Sequence, residues 1–191
     1  MSHVDIAFAV SGERLSRDHS YDLWRALSDA APALLADPSV AVLPVRGASA
    51  GEGTIVLQRR SRLLMRIPEA SLDLALVLCN TRLDLAGALV VLGGAKTRPL
   101  APYATLYAHR VAAVGDDEAE FMKQVAASLL DLGVSADFIV GKRVVTRGPQ
   151  GDIPGFSLMF AELSARHSLA LQVHGIGAHR NLGFGVFVGH K

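Results

Sequence analysis

Two hydrophobic periods take turns along the chain. Residues 4–10 are apolar and predict a first strand. Leu23, Leu27, Ala30 and Leu34 then recur at helical spacing behind Asp18, a residue able to cap a helix, and Pro38 closes the run. Residues 40–45 and 54–67 predict paired strands around a glycine-containing turn at 47–53. After Pro68, Leu72, Leu76, Cys79 and Leu83 stand at i, i+4, i+7 and i+11 and predict a second helix that Gly87 stops, with a strand at 88–92. The breaker-rich stretch 93–102 predicts a linker.

The second half repeats the order. A strand is predicted at 105–114, then a helix over 117–132 with Phe121, Val125 and Leu129 on one face and Gly133 as its stop. Strands at 138–146 and 155–163 surround a loop at 147–154, and a helix at 165–173 leads through a glycine-rich loop to a strand at 184–188. Strand-helix-strand-strand-helix-strand, twice, is the ferredoxin-like pattern in duplicate. The expected fold is α+β, with tandem ferredoxin-like (RRM-like) domains at 1–95 and 103–191 and a C-terminal glycine-rich loop.

Composition narrows the class. Half of the 191 residues are hydrophobic and 19% are charged, so disorder is not expected and the chain can bury a proper core. No apolar run reaches the roughly 18–20 residues of a membrane span, and the N-terminus lacks the basic and apolar regions of a signal peptide. Cys79 is the one cysteine, which excludes an internal disulfide and a cysteine zinc cluster and suits a reducing cytoplasm. Net charge is only +1, so its distribution matters more than its total. Acidic residues gather in helical stretches (Asp22, Asp29, Asp116, Asp117, Glu118, Glu120). Basic residues gather in strands and loops: Arg59, Arg60, Arg62 and Arg66, Lys96 and Arg98, Lys142, Arg143 and Arg147, then His179 and Arg180. That pattern fits either a positive face for nucleic acid or an ordinary solvated surface.

Four-stranded sheets of this kind present surfaces to RNA. Aromatic residues make up only 6%, however, and no strand shows a close aromatic pair on one face. Shape and phosphate recognition of a folded RNA is therefore expected in preference to base stacking. At the C-terminus, Gly175/Gly177 and Gly183/Gly185 bracket a short basic loop. A dinucleotide fingerprint would need a third glycine where Arg180 stands and a strand before the loop, so that reading fails, and no Walker A lysine pattern is present. The glycines leave two readings: a tight structural turn, or main chain pressed against another backbone or a phosphate.

Ser168-Leu-Ala-Leu-Gln172 leads into those glycines, and Gly183-Phe-Gly-Val-Phe-Val188 precedes His190-Lys191. Together with the N-terminal stretch Leu15-Ser-Arg-Asp-His19-Ser-Tyr21-Asp-Leu-Trp24-Arg-Ala-Leu27, this ending resembles the CRISPR repeat-processing endoribonucleases of the RAMP superfamily, most of all their MYXAN-type branch. The resemblance implies an endoribonuclease that binds the hairpin of CRISPR repeat RNA and cuts at its base without a metal. It implies products with a 2′,3′-cyclic phosphate and a 5′-hydroxyl, a guide RNA that stays bound, and other subunits of a CRISPR surveillance complex as partners. No cofactor, metal or membrane is expected.

His19 is the first candidate for the chemistry. Beside Asp18 in the first helical turn, the positive end of the helix dipole disfavours imidazolium, so the ring tends toward its basic form and can take a 2′-hydroxyl proton. The resemblance implies a histidine general base or acid in this region, and a tyrosine that orients RNA, here Tyr21. On a formed helix Tyr21 points away from His19. For RNA binding the candidates are Arg59, Arg60, Arg62, Lys142, Arg143 and Arg147, with Gly175, Gly177, His179, Arg180, Gly183 and Gly185 of the loop. Alternation puts Arg60 and Arg62 on one strand face with Arg66 in phase, while Lys142, Arg143 and Arg147 flank a hairpin. Arg180 and the loop amides are candidates for meeting the developing negative charge. The carboxylates form no evident two-metal cluster, and His174/His179 is a thin zinc motif. His3, His109 and His167 default to structural roles, His174 to shaping the loop, and His190 and Lys191 to an RNA contact or none. Two alternatives stay open: a non-catalytic guide-RNA-binding subunit of the same superfamily, and a small-molecule enzyme whose glycine loop holds a phosphorylated metabolite.

Overall fold

Strict alternation makes the first strand, with Val4, Ile6, Phe8 and Val10 all buried on one face. A computed structural model of the chain describes residues 2–190 and divides between Pro99 and Leu100 into two units. In the first, β1 (His3–Gly12) is followed by β2 (Arg14–Ser16), α1 (Ser20–Ala30), α2 (Pro32–Leu35), β3 (Ala41–Leu43), β4 (Ala48–Ser49), β5 (Thr54–Val56) and β6 (Arg62–Pro68). A 3-10 turn, α3 (Leu72–Leu76), β7 (Arg82–Leu85) and β8 (Ala88–Pro99) complete it. The main sheet runs β3-β6-β1-β8-β7, with antiparallel neighbours throughout. With α1 between β1 and β3, and α3 between β6 and β8, this is the ferredoxin-like order with β7 added at one edge. Leu23 and Leu27 of α1 share its core with Ile6, Phe8, Leu63, Met65 and Ile67. A small sheet, β2-β5-β4, carries the loop side of the unit.

Several expectations are corrected here. The N-cap of α1 is His19 rather than Asp18, and the His19 side chain makes no capping bond. The helix leaves α geometry at Ala31 (φ −142°, ψ 63°) because Pro32 follows and pushes its predecessor into extended backbone, so the expected single helix is two. The strand expected over 54–67 is interrupted at 57–61. Ser61 N–H donates to the Gln58 carbonyl (2.8 Å) and Gln58 N–H to Ser61 Oγ (3.0 Å), which bends the chain into a turn holding Arg59 and Arg60. Arg60 therefore shares no strand face with Arg62.

The second expected helix is only α3. Leu83 and Leu85 are buried and Arg82 and Asp84 exposed, a period of two, and the hairpin turn Ala86–Gly87 takes positive φ at both residues (53° and 90°). Asp84 fixes that turn by accepting from Gly87 N–H at 2.6 Å. The linker expected at 93–102 is mostly strand, since β8 pairs with β1 out to Pro99 opposite Val4.

The second unit holds β9 (Leu106–Ala112), α4 (Glu118–Asp131), β10 (Phe138–Gly148), β11 (Gly151–Phe160), α5 (Ala165–His174), a 3-10 turn (Arg180–Leu182) and β12 (Val188–Gly189). Its sheet runs β10-β11-β9-β12, again with the first and third strands central. Asp117 caps α4 by accepting from Ala119 and Glu120 N–H groups, and Phe121, Val125 and Leu129 face the core as expected. The expected loop at 147–154 is instead strand on both sides. Arg147 pairs with Asp152 and Gly148 with Gly151, leaving Pro149 and Gln150 as the turn. The last strand is shorter than the apolar run implied: Phe184, Val186 and Phe187 are buried outside the ladder. Lys191 lies outside the described residues. Among the described residues no helix is long and apolar enough to cross a membrane.

Candidate functional site

His19 stands where α1 begins, and Leu23 N–H donates to its carbonyl (2.8 Å) to start the helix. The side chain is 2% exposed. Its Nδ1 donates to the Ser16 carbonyl at 2.7 Å, and its Nε2 accepts from Val45 N–H at 3.0 Å. An Nε2 that accepts from an amide carries no proton, so these partners define the neutral Nδ1–H tautomer. A carbonyl holding Nδ1–H is also the usual device that leaves Nε2 as the basic atom. In this conformation Val45 N–H occupies that lone pair.

The two residues anchored by His19 each precede an exposed arginine, Arg17 and Arg46. Arg17 reaches across the small sheet to Ser49 Oγ at 2.7 Å. The Arg46 carbonyl accepts from Ser61 Oγ at 2.7 Å, and Ser61 is the residue that closes the turn bearing Arg59 and Arg60. Arg62 Nη1 donates to the carbonyls of Arg59 (2.9 Å) and Ser61 (2.7 Å), pinning the same turn. Gly47 has no room for a side chain, since a Cβ there would lie 2.5 Å from the Val56 carbonyl oxygen. The result is an exposed arch of five arginines (Arg17, Arg46, Arg59, Arg60 and Arg62) built on a buried histidine and a buried serine. Arg66 does not join it, being 1% exposed and paired with Asp5 through two bonds of 2.8 and 3.2 Å. Tyr21 is half-buried beside Trp24, ring centroids 5.7 Å apart.

In the second unit Lys142, Arg143 and Arg147 all lie on β10 and are exposed. Arg143 is engaged by Asp116, with Nε donating to Oδ1 at 3.0 Å; such an exposed pair is worth at most about 1 kcal/mol. Beyond Gly155 the β9 ladder ends, and the base of the hairpin tip is tied down by Ala113 N–H donating to the Pro154 carbonyl (3.0 Å) and by Arg110 donating to Thr146 Oγ1 (3.0 Å).

The glycine loop presses main chain against itself. Gly175, Gly177, Gly183 and Gly185 all have positive φ, as does His179. A Cβ on Gly185 would collide with the Ile176 carbonyl oxygen, and one on Gly175 with the Gly185 carbonyl oxygen. Arg180, 7% exposed, packs its guanidinium against Gly175 inside the loop. Gly177 and His179 are exposed, while Gly183 is half-buried.

Sequence reasoning missed Arg17, Arg46 and Ser61, and also Arg110. Arg110, on β9 and 8% exposed, donates to the Leu182 carbonyl (2.8 Å), the Gly183 carbonyl (3.4 Å) and Thr146 Oγ1 (3.0 Å), with its guanidinium 5.0 Å from the Phe184 ring centroid. It is the strut of the glycine loop. The signal available was an arginine followed directly by the apolar run Val111-Ala-Ala-Val114 within a predicted strand, which implies buried acceptors for its donors. Among the described residues no group of three or more His, Cys, Asp or Glu side chains is placed to hold a metal.

Three comparisons bear on this arrangement. The family model described as Cas6 Crispr matches residues 4–191. The chain is 34% identical over 189 residues to the CRISPR-associated endonuclease Cas6 of Myxococcus xanthus (strain DK1622), covering 98% of this chain and 82% of that protein. Solved structures share the fold, two of them over the whole of this chain. One is a CRISPR associated protein Cas6 (TM-score 0.69, 10% identity, covering 100% of this chain and 99% of that one). The other is a RAMP protein that binds different RNA substrates (TM-score 0.66, 12% identity, covering 100% of both).

Proposed function

The chain belongs to the Cas6 family of CRISPR RNA-processing endoribonucleases, and from that premise we propose that it binds the hairpin of CRISPR repeat RNA and cuts at its base without a metal ion. The observation that carries this reading is the double anchoring of His19 to the residues preceding Arg17 and Arg46, which ties a basic ring nitrogen to two segments that each continue into an exposed arginine. On docking, the RNA displaces Val45 N–H from Nε2, and the 2′-hydroxyl takes its place. Nε2 removes the hydroxyl proton as the 2′ oxygen bonds to the adjacent phosphorus. The bond from phosphorus to the 5′ oxygen breaks, and that oxygen takes up a proton from solvent. The products are a 2′,3′-cyclic phosphate and a 5′-hydroxyl. Arg17 and Arg46 meet the charge that develops on the phosphoryl oxygens.

Arg59, Arg60 and Arg62 extend the same positive surface along the RNA backbone. In the second unit Lys142 and Arg147 of the β10–β11 hairpin, with the exposed Gly177–His179 stretch, are the corresponding RNA-binding groups. Tyr21 orients RNA beside α1. The guide RNA stays bound, and further subunits of a surveillance complex assemble on it.

The direct test is incubation with hairpin repeat RNA in EDTA. Cleavage is expected at the hairpin base, with a cyclic phosphate on the upstream product, and a 2′-deoxy substitution at the scissile nucleotide should block it. Cleavage that stops in EDTA and returns with magnesium, or that tolerates the deoxy substitution, would overturn the mechanism. A second expectation concerns the arch. For every phosphate that a variant fails to neutralise, the slope of log affinity against log salt should fall by about 0.7–0.9. The double variant Arg59→Ala/Arg60→Ala should therefore bind more weakly with a visibly shallower slope. An unchanged slope would remove these two residues from the RNA interface.

A further inference from the structure

The sheet of the second unit carries a row of side chains that the cleavage mechanism does not use. Across the strands Ile139 is paired with Met159, Met159 with Tyr107, and Tyr107 with Val188. Directly paired residues share a face, so these four form one row across all four strands. His109 is two residues along β9 from Tyr107 and points the same way. Its ring centroid is 6.3 Å from that of Tyr107, and the His190 ring, just past β12, lies 5.6 Å from Tyr107 on the other side. The opposite face holds Leu106, Ala108, Leu158 and Phe160, and it is there that Phe121 and Val125 of α4 and Leu171 of α5 pack. The row is therefore on the face without the unit's helices. Ile139 is 60% exposed, and His109 and His190 are both exposed.

This corrects the expectation that no strand offers an aromatic pair. Counting only Phe, Trp and Tyr overlooked the imidazoles, and the fold brings two of them to one tyrosine. Both separations lie in the range at which aromatic rings stack or meet edge to face. None of the six side chains is acidic, so nothing in the row repels a phosphate backbone. Flat rings on the open face of a four-stranded sheet are how RNA-recognition modules hold unpaired bases, and stacking of this kind tolerates any base.

We infer that Tyr107, His109 and His190 form a stacking platform for unpaired bases of the RNA strand that flanks the hairpin. The inference rests on the reading that this chain binds hairpin RNA. Each base stacked on such a ring is worth roughly 5- to 150-fold in affinity.

The experiment compares three RNAs: the hairpin alone, the hairpin with a single-stranded flank of roughly eight nucleotides, and the flank alone, with 2-aminopurine in the flank. Wild-type protein should bind the flanked hairpin at least about tenfold more tightly than the bare hairpin, and 2-aminopurine fluorescence should be quenched. Tyr107→Ala/His109→Ala should lose both the gain and the quenching. It should still bind and cut the bare hairpin as wild type does, which also shows that it folds. Tyr107→Phe, which keeps the ring, should retain the gain. A double variant that keeps the full gain overturns the platform. If the bare hairpin is neither bound nor cut by wild type, the cleavage reading fails instead, and the flank alone still reports on the platform.

Discussion

His19→Ala is expected to lower the single-turnover cleavage rate by about 10²- to 10⁴-fold, the range for loss of a general base, while hairpin affinity changes only a few-fold. The variant alone does not distinguish two roles, because His19 also bonds Ser16 and Val45. Its removal leaves the buried Val45 amide without its partner, at a cost of about 1–3 kcal/mol, and frees the part-buried Ser16 carbonyl. His19→Gln and His19→Asn separate the roles. An amide side chain has both a donor and an acceptor and can hold one or both anchors, yet it has no basic nitrogen. Under the proposed mechanism both amide variants stay as slow as His19→Ala, although they should melt closer to wild type. Recovery of cleavage in either would make His19 a positioning residue that holds up the arginine arch, and the proton acceptor would have to be sought elsewhere.

Gly185→Ala is expected to be the most damaging small substitution in the second unit. The residue sits at φ 63°, and a Cβ there would run into the Ile176 carbonyl, a main-chain atom that cannot rotate away. Left-handed strain and a backbone collision together should cost about 3 kcal/mol or more, which is roughly 10–20 °C in melting temperature for a unit of this size. Gly177→Ala is the matched control. Its φ is also positive, at 76°, but its added Cβ would meet nothing closer than 3.4 Å, so only the conformational cost of about 1 kcal/mol remains. Calorimetry of the two variants checks this. Equal losses would mean that conformation alone, and not the packing of one glycine pair on the other, explains why glycine stands there.

Much of the fold was legible because periodicity and burial agree. β1 and α4 put the expected residues into the core, and α1 does so with Leu23 and Leu27 but leaves Ala30 exposed; the main sheet of each unit has the ferredoxin-like order. The failures share a cause, which is that local signals were outvoted by pairing. Leu72, Leu76, Cys79 and Leu83 fit a helical spacing, yet Leu83 alternates with Arg82 and Asp84 in a hairpin whose turn is fixed by Asp84. Gly93 and Gly94 look like a linker, but β1 supplies a partner for the strand that contains them. The site was read less completely. His19 could be singled out from its neighbours, but not its burial, because Val45 is brought to it by the tertiary fold. Arg46 and Ser61 are fifteen residues apart and become neighbours through one hydroxyl. The four glycines signalled close approach correctly in kind, and the surface they approach is each other's backbone.

The hydrogen bond from Val45 to His19 has a bearing on safety in the cell. Under the proposed mechanism, an RNA that reaches the exposed arginines first meets an Nε2 already held by Val45 N–H. Opening the Val45 bond costs every RNA the same free energy, and only a ligand with enough additional contacts can offset it. The lock therefore lowers the rate on every RNA by the same factor, which restrains stray cleavage without changing the preference between two strands. The pace of the proposed reaction, and not its choice of strand, would then be set partly by an amide that never touches the sequence being read.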